Sequence, residues 1–361
     1  MSFLASYIYV FVPLVTVLSF CPIYKINDNK FPNILSTLIV FGLILIILIT
    51  RDILAPADME NYKRMYHGSD TFSKVFEVYH KNYFFSFLMY LGNVFNMPYK
   101  VFFTVLSMLY LYMFYAGLKL IFKEPKYYIL SLALFSLSST FVLLFTNVIR
   151  QGLALSLLVL AMGLILNNKK LLSYIVILLA VFSHFSILPI TLFLWAAKHL
   201  SDIKIKLIYI ILLLFLPILG ILFLSSFTQL GGMFDKIQSF SQQDYDNKVV
   251  YIKVVFLYTF LLIFYFYGEK LENFKIYAFR YIFNVYLLIV SLMLFTLSVL
   301  LLSSRFLYFA SGLVPILLSF IFYSKRNLIN IKMRYFLFVV GAIFYGLAIY
   351  HYKSITMQLG I

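Results

Sequence analysis

"FTNVIRQGLALSLLVLAMGLIL", Phe145 to Leu166, decides the fold. After Arg150 the run carries no charge and is apolar on every face, which marks a helix buried in protein or lipid rather than one lying on a water-facing surface. About 20 such residues cross a hydrocarbon core about 30 Å thick. Similar runs recur along the 361-residue chain, which is 63% hydrophobic and 12% charged, so the sequence is that of an integral membrane protein. Lipid offers backbone groups no water partner, leaving helices or closed barrels as spanning structures. Long apolar runs, rather than short alternating strands, select helices.

The fold class expected is therefore all-α: a polytopic transmembrane bundle of about twelve helices, one integral membrane domain over 1–361. The helices are predicted near 3–20, 34–50, 100–120, 127–146, 151–166, 171–184, 187–198, 206–227, 250–268, 281–302, 306–323 and 335–350. Cytoplasmic loops collect Lys and Arg. One alternation of sides puts most of the 29 basic residues inside and most of the 13 acidic ones outside, with both termini outside. It requires that "YFFSFLMYLGNVFNM", Tyr83 to Met97, does not span, which suits a short helix at the outer interface. The formal charge of +16 is thus a topology signal, and nucleic acid is not an expected partner. The single cysteine, Cys21, excludes an internal disulfide framework. The first twenty residues lack the basic start of a cleavable signal, so the opening helix is expected to remain.

Two outer loops are long, 51–82 and 228–248, and loops beyond about 12–15 residues are commonly functional or disordered. In the first, "APADMENYKRMYHG" predicts a short helix, with Pro56 and two acids in its first turn and Gly68 as its stop. Asp58, Tyr62, Met65 and Tyr66 fall on one face, with Glu60, Lys63 and Arg64 opposite. A Tyr/Asp face suits a sugar. The second loop is polar and reads as a mobile lid or as a solvated connector.

The charges that topology does not require are the candidates for chemistry. Arg150 sits at the outer end of a span, in a short loop, either snorkelling to headgroups or serving a site. Gly152, Ser156 and Gly163 lie roughly opposite it and would let a neighbouring helix approach closely. Arg305, with Tyr308 nearly one turn on, repeats the pattern, and Arg51 beside Asp52 is a third case. Guanidinium forks match phosphate oxygens and stay charged at any working pH. His184, in the turn "SHFSILP", would lie below the outer surface as a general base, a hydrogen-bond donor or a helix cap. Nucleotide-binding and zinc-protease motifs are missing, and no ligand spacing predicts a metal or other cofactor.

At "NVIRQGLALSLLVLAMGLIL", "LAVFSHFSILPI" and the Arg-Asp, Ala-Asp, Asn-Tyr, Met-Tyr stretch after the second helix, the chain resembles the EpsG/Wzy family of bacterial polysaccharide polymerases. The matching positions are Arg51, Asp58 and Tyr62, Arg150 and Gln151, His184 with Ser186, and Arg305. The resemblance implies joining of oligosaccharide repeat units carried on undecaprenyl pyrophosphate, at the outer face of the cytoplasmic membrane. The donor and acceptor are both lipid-linked glycans, and membrane lipids and a chain-length regulator protein are implied partners. Arg150, Arg305 and Arg51 would bind the pyrophosphate, and His184, then Asp58, would serve as base. Tyr62, Tyr66, Gln151 and Tyr308 would meet the substrate. A flippase of the same lipid-linked glycans, or a ligase making a single transfer, is the alternative.

Overall fold

A computed structural model describes residues 56–74, 82–136, 138–146, 148–200, 205–227, 247–270 and 273–322, with 42, 45 and 49 singly. The helices expected at 3–20 and 335–350, nearly all of 34–50, Arg51 and most of the second outer loop fall outside the described residues. Among the described residues every regular element is helical, and five helices are long and apolar enough to cross a membrane. The protein is a polytopic, multi-pass membrane protein of helices. The chain divides into two compact units, residues 1–188 with 328–361, and 189–327.

The first unit contains helices α1 (Pro56–His67), α2 (Tyr83–Val94), α3 (Tyr99–Ile121), α4 (Pro125–Ser136), α5 (Ser139–Thr146), α6 (Ile149–Leu166) and α7 (Lys170–Ser183). Its centre is α6, which packs on α3 and α7. Glycines set the closest approaches. A Cβ on Gly117 of α3 would lie 2.6 Å from the Leu160 backbone nitrogen, and one on Gly163 would lie 2.8 Å from the Gly117 carbonyl. Two backbones this close gain dispersion contact that bulkier side chains would prevent, the usual device where lipid supplies no hydrophobic drive between helices. At the other end of the same face, a Cβ on Gly152 would lie 2.5 Å from the Leu144 carbonyl of α5. The small-residue face of α6 thus receives two neighbours, one at each end.

The span expected at 127–146 is broken, stopping at Ser136 and restarting at Ser139. The cause is local: in "SLSST" hydroxyls compete for backbone groups. Ser136 Oγ donates to the Ala133 carbonyl at 2.8 Å, while Ser138 Oγ donates to the Phe135 carbonyl at 2.7 Å and accepts from Phe141 N at 3.1 Å, capping the new helix. At twelve residues α2 is shorter than the roughly 20 a span needs.

The second unit contains α8 (Leu188–Leu200), α9 (Leu207–Leu212), α10 (Leu216–Phe227), α11 (Asn247–Lys270), α12 (Tyr277–Phe295) and α13 (Leu300–Phe322). The run expected as one helix over 206–227 has a 3-10 turn at Leu213–Phe215, because the Pro217 ring excludes a normal turn at the carbonyl four residues earlier. The boundary expected between 302 and 306 lies instead at Thr296–Val299, where Thr296 Oγ1 bonds the Leu292 carbonyl. Arg305 is consequently inside α13 rather than in a connecting loop. α12 packs on both α11 and α13.

Candidate active site

The short outer-loop helix α1 forms as its composition predicts and ends at His67, with Gly68 N bonded back to the Arg64 carbonyl. Its buried face carries Met59, Tyr62 and Tyr66. The Tyr66 ring stacks on Phe102 at 4.9 Å, and its hydroxyl donates to the Met97 carbonyl at 2.7 Å. Tyr62 packs on Phe103 and Phe85. Gly92 leaves room for this stack, since a Cβ there would meet the Phe102 and Tyr66 rings. Asn93 Nδ2 then holds the end of α1 by donating to the carbonyls of Tyr66 and Ser69. Burial pushes the Tyr66 hydroxyl pKa above its ordinary value. The two tyrosines anchor α1 onto α2 and α3. With 6% and 1% exposure, neither ring offers a sugar an open face in this arrangement, unlike the expectation from their shared helical face. The backbone of Asp58 lies in the first turn of α1, and its side chain is outside the described residues.

α2 carries the docked helix toward the His184 turn. Asn82 Oδ1, just before α2, accepts from Phe185 N at 3.3 Å, and the Tyr83 ring lies 6.2 Å from that of Phe182. His184 ends α7. Its extended backbone, φ −156° and ψ 106°, swings the ring off the helix before a 3-10 turn over Phe185–Ile187. α6 and α7 are packed side by side, so the start of α6 faces this turn.

There Gln151 Nε2 and His184 Nε2 lie 3.0 Å apart, with Gln151 2% and His184 8% exposed. A carboxamide nitrogen can only donate, so in this amide orientation His184 Nε2 accepts and the ring proton resides on Nδ1. In that orientation the bond occupies the Nε2 lone pair and leaves the Nδ1–H in the role of hydrogen-bond donor, one of those expected for His184. Gln151 Oε1 and Ser186 Oγ are buried with no hydrogen-bond partner among the described residues. Such groups are uncommon in folded proteins and are costly unless something satisfies them.

Arg150 is the second residue of α6, not a loop residue preceding it. It is half-buried, with Nε shielded from water. A cation in the first turn opposes the helix dipole by about 0.3–1 kcal/mol, and its field adds to that of the exposed helical N–H groups in attracting an anion. Within the first unit the fold thus brings Arg150 and Gln151, at the start of α6, to the turn after α7 that carries His184 and Ser186. Arg305 and Tyr308, both half-buried on α13, belong to the second unit. No group of three His, Cys, Asp or Glu among the described residues could hold a metal.

The EpsG family model matches residues 35–359, nearly the whole chain. The chain belongs to the EpsG family. That membership makes it a membrane polysaccharide polymerase of the EpsG/Wzy type, a glycosyltransferase-class enzyme. No curated protein and no solved structure matches this EpsG-family chain. Sequence reading singled out Gln151 and His184 separately but not their hydrogen bond. They are 33 residues apart, and only the packing of α6 on α7 joins them.

Proposed function

We propose that this EpsG-family protein polymerises oligosaccharide repeat units carried on undecaprenyl pyrophosphate, at the outer face of the bacterial cytoplasmic membrane. The observation that carries the reading is the buried Gln151–His184 pair placed beside Arg150 at the start of α6. Cleaving a sugar from a polyprenyl pyrophosphate puts negative charge on the leaving group, and a fixed cation there stabilises the transition state more than the ground state. Arg150 takes this role; Arg51 and, on the second unit, Arg305 are proposed as phosphate-binding residues from the family resemblance. An acceptor hydroxyl attacks the anomeric carbon as the carbon–oxygen bond to pyrophosphate breaks, through an oxocarbenium-like transition state. Its proton passes to a base, for which Asp58 on the docked helix α1 is the candidate. His184 Nδ1–H donates a hydrogen bond to the reacting groups, and the unsatisfied Gln151 Oε1 and Ser186 Oγ are available to sugar hydroxyls. Tyr308 would stack on a sugar, and a chain-length regulator would act as partner.

The test is Arg150→Ala in the native host, with protein level checked in the membrane. Single repeat units should still reach the surface while long chains disappear. Arg150→Lys should rescue poorly, since it keeps the charge and loses the planar fork. Normal chain lengths in a stably expressed Arg150→Ala strain would refute the assignment.

A further inference from the structure

Lys253 lies in α11, three residues after Val250, where the apolar span begins. It is half-buried on the flank of the helix that also carries the buried residues Leu257, Phe260 and Phe264. A lysine within a span is costly and is commonly part of a site. Among the described residues of the second unit the one acidic side chain is Glu269, at the opposite end of α11 and about 24 Å along the axis at 1.5 Å per residue.

Side-chain contacts between the helices fix which residues share the depth of Lys253. The Phe279 ring, at the start of α12, touches both Gly268 near the end of α11 and Phe320 near the end of α13. α11 and α13 therefore run parallel, with α12 antiparallel between them. Tyr286 OH donates to the Leu257 carbonyl at 2.7 Å, and Ser303 Oγ donates to the Met293 carbonyl at 3.0 Å. From Tyr286 to Met293 is about 10 Å along α12; Lys253 stands about 6 Å beyond Leu257 in the same direction, and Arg305 about 3 Å back from Ser303. The two cations are thus level to within about one helical turn of 5.4 Å. α11 and α13 are in contact, and packed helix axes are about 8–10 Å apart, a gap that the long side chains of Lys and Arg can bridge. On α13, Leu302, Arg305 and Tyr308 form a half-buried strip at three-residue spacing between buried neighbours, so the arginine lies where the packed helix opens.

We infer that Lys253 and Arg305 together bind the phosphate of a lipid, with the guanidinium fork and the ammonium on one anion and Tyr308 beside it. This rests on the proposed function for Arg305 as a pyrophosphate ligand, and adds Lys253 as a second cation that no sequence motif marks. Basic pockets between spanning helices are established headgroup sites. The shared chemistry is a phosphate ester, whether of a polyprenyl carrier or of a bulk phospholipid.

The test is binding of undecaprenyl phosphate to the full-length protein in neutral detergent, measured by native mass spectrometry with phosphatidylglycerol and inorganic phosphate as competitors. Lys253→Gln and Arg305→Gln should each weaken binding about tenfold or more, the scale of a charge-assisted hydrogen bond. Lys253→Arg should bind nearly as the parent does, which separates lost charge from misfolding, and Arg280→Gln should have no effect. Selective retention of undecaprenyl phosphate assigns the site to the polyprenyl carrier, and equal competition by phosphatidylglycerol assigns it to bulk lipid. Unchanged affinity in Lys253→Gln, or no lipid phosphate retained by the parent, overturns the inference. Because no sugar or polymer enters the readout, a protein that binds but does not polymerise would refute the proposed function and leave this site standing.

Discussion

Gln151→Leu isolates the hydrogen bond at the centre of the site. Leucine keeps most of the side-chain volume and removes two buried polar atoms, one bonded to His184 and one, Oε1, without a partner. Losing the bond leaves His184 Nε2 an unsatisfied buried acceptor, a penalty of about 1–3 kcal/mol. Removing the orphaned Oε1 relieves a penalty of the same order, so thermal stability in detergent should change by less than about 1 kcal/mol. Activity has no such compensation. If the bond holds His184 in its Nδ1–H form for the transition state, the rate should fall by about 5- to 150-fold, which is 1–3 kcal/mol expressed in the barrier. The assay is the initial rate at which purified protein lengthens lipid-linked repeat units, followed on a gel that resolves single additions. Because Gln151 acts through its bond to His184 in this proposal, Gln151→Leu should cost nothing further in a His184→Ala background. Losses that multiply in the double variant, or a Gln151→Leu rate equal to the parent's, would refute the positioning role.

Other outcomes follow from the packing. Gly117→Ala and Gly152→Ala should each lower stability by about 1–3 kcal/mol, because the new methyl meets backbone rather than a movable side chain, and thermal unfolding in detergent would register it. Tyr66→Phe should loosen α1 by about 1 kcal/mol through loss of the Met97 bond, increasing protease cleavage near Gly68 while leaving the spans intact. Since burial raises the Tyr66 pKa, the docking of α1 should be fully stable below about pH 10, where the undocked tyrosine is also neutral, and should be lost as pH climbs through the raised value. Tyrosinate absorbance followed alongside cleavage would show the two changes together in the parent, and Tyr66→Phe should lose that component.

The helical class, the non-spanning length of α2 and the stop of α1 at Gly68 were legible because each depends on neighbours in sequence: apolar run length, a short segment before Pro98, a glycine after a polar helix. Interruptions were harder. The serine run at 136–140 signals competition for backbone groups, yet the surrounding leucines gave the segment the appearance of one continuous span. The start of α13 moved ahead of Arg305 because arginine has good helix propensity, and a charge at a membrane boundary need not end a helix. Helical periodicity correctly grouped Tyr62 with Tyr66 but could not say what they face, since packing on Phe102 and Phe103 depends on residues some 40 positions away. The Gln151–His184 bond and the level pairing of Lys253 with Arg305 are products of helix packing, and no local pattern encodes them.

We propose that this EpsG-family protein extends lipid-linked glycans by glycosyl transfer with a pyrophosphate leaving group. Purified protein mixed in detergent with undecaprenyl-pyrophosphate-linked repeat units and no nucleotide sugar should yield a ladder of longer lipid-linked products, one free undecaprenyl pyrophosphate released per addition, with both signals absent in Arg150→Ala. Unlengthened repeat units from active-folded parent protein, together with their passage across the bilayer when the same preparation is reconstituted in vesicles, would contradict the claim and mark a flippase instead.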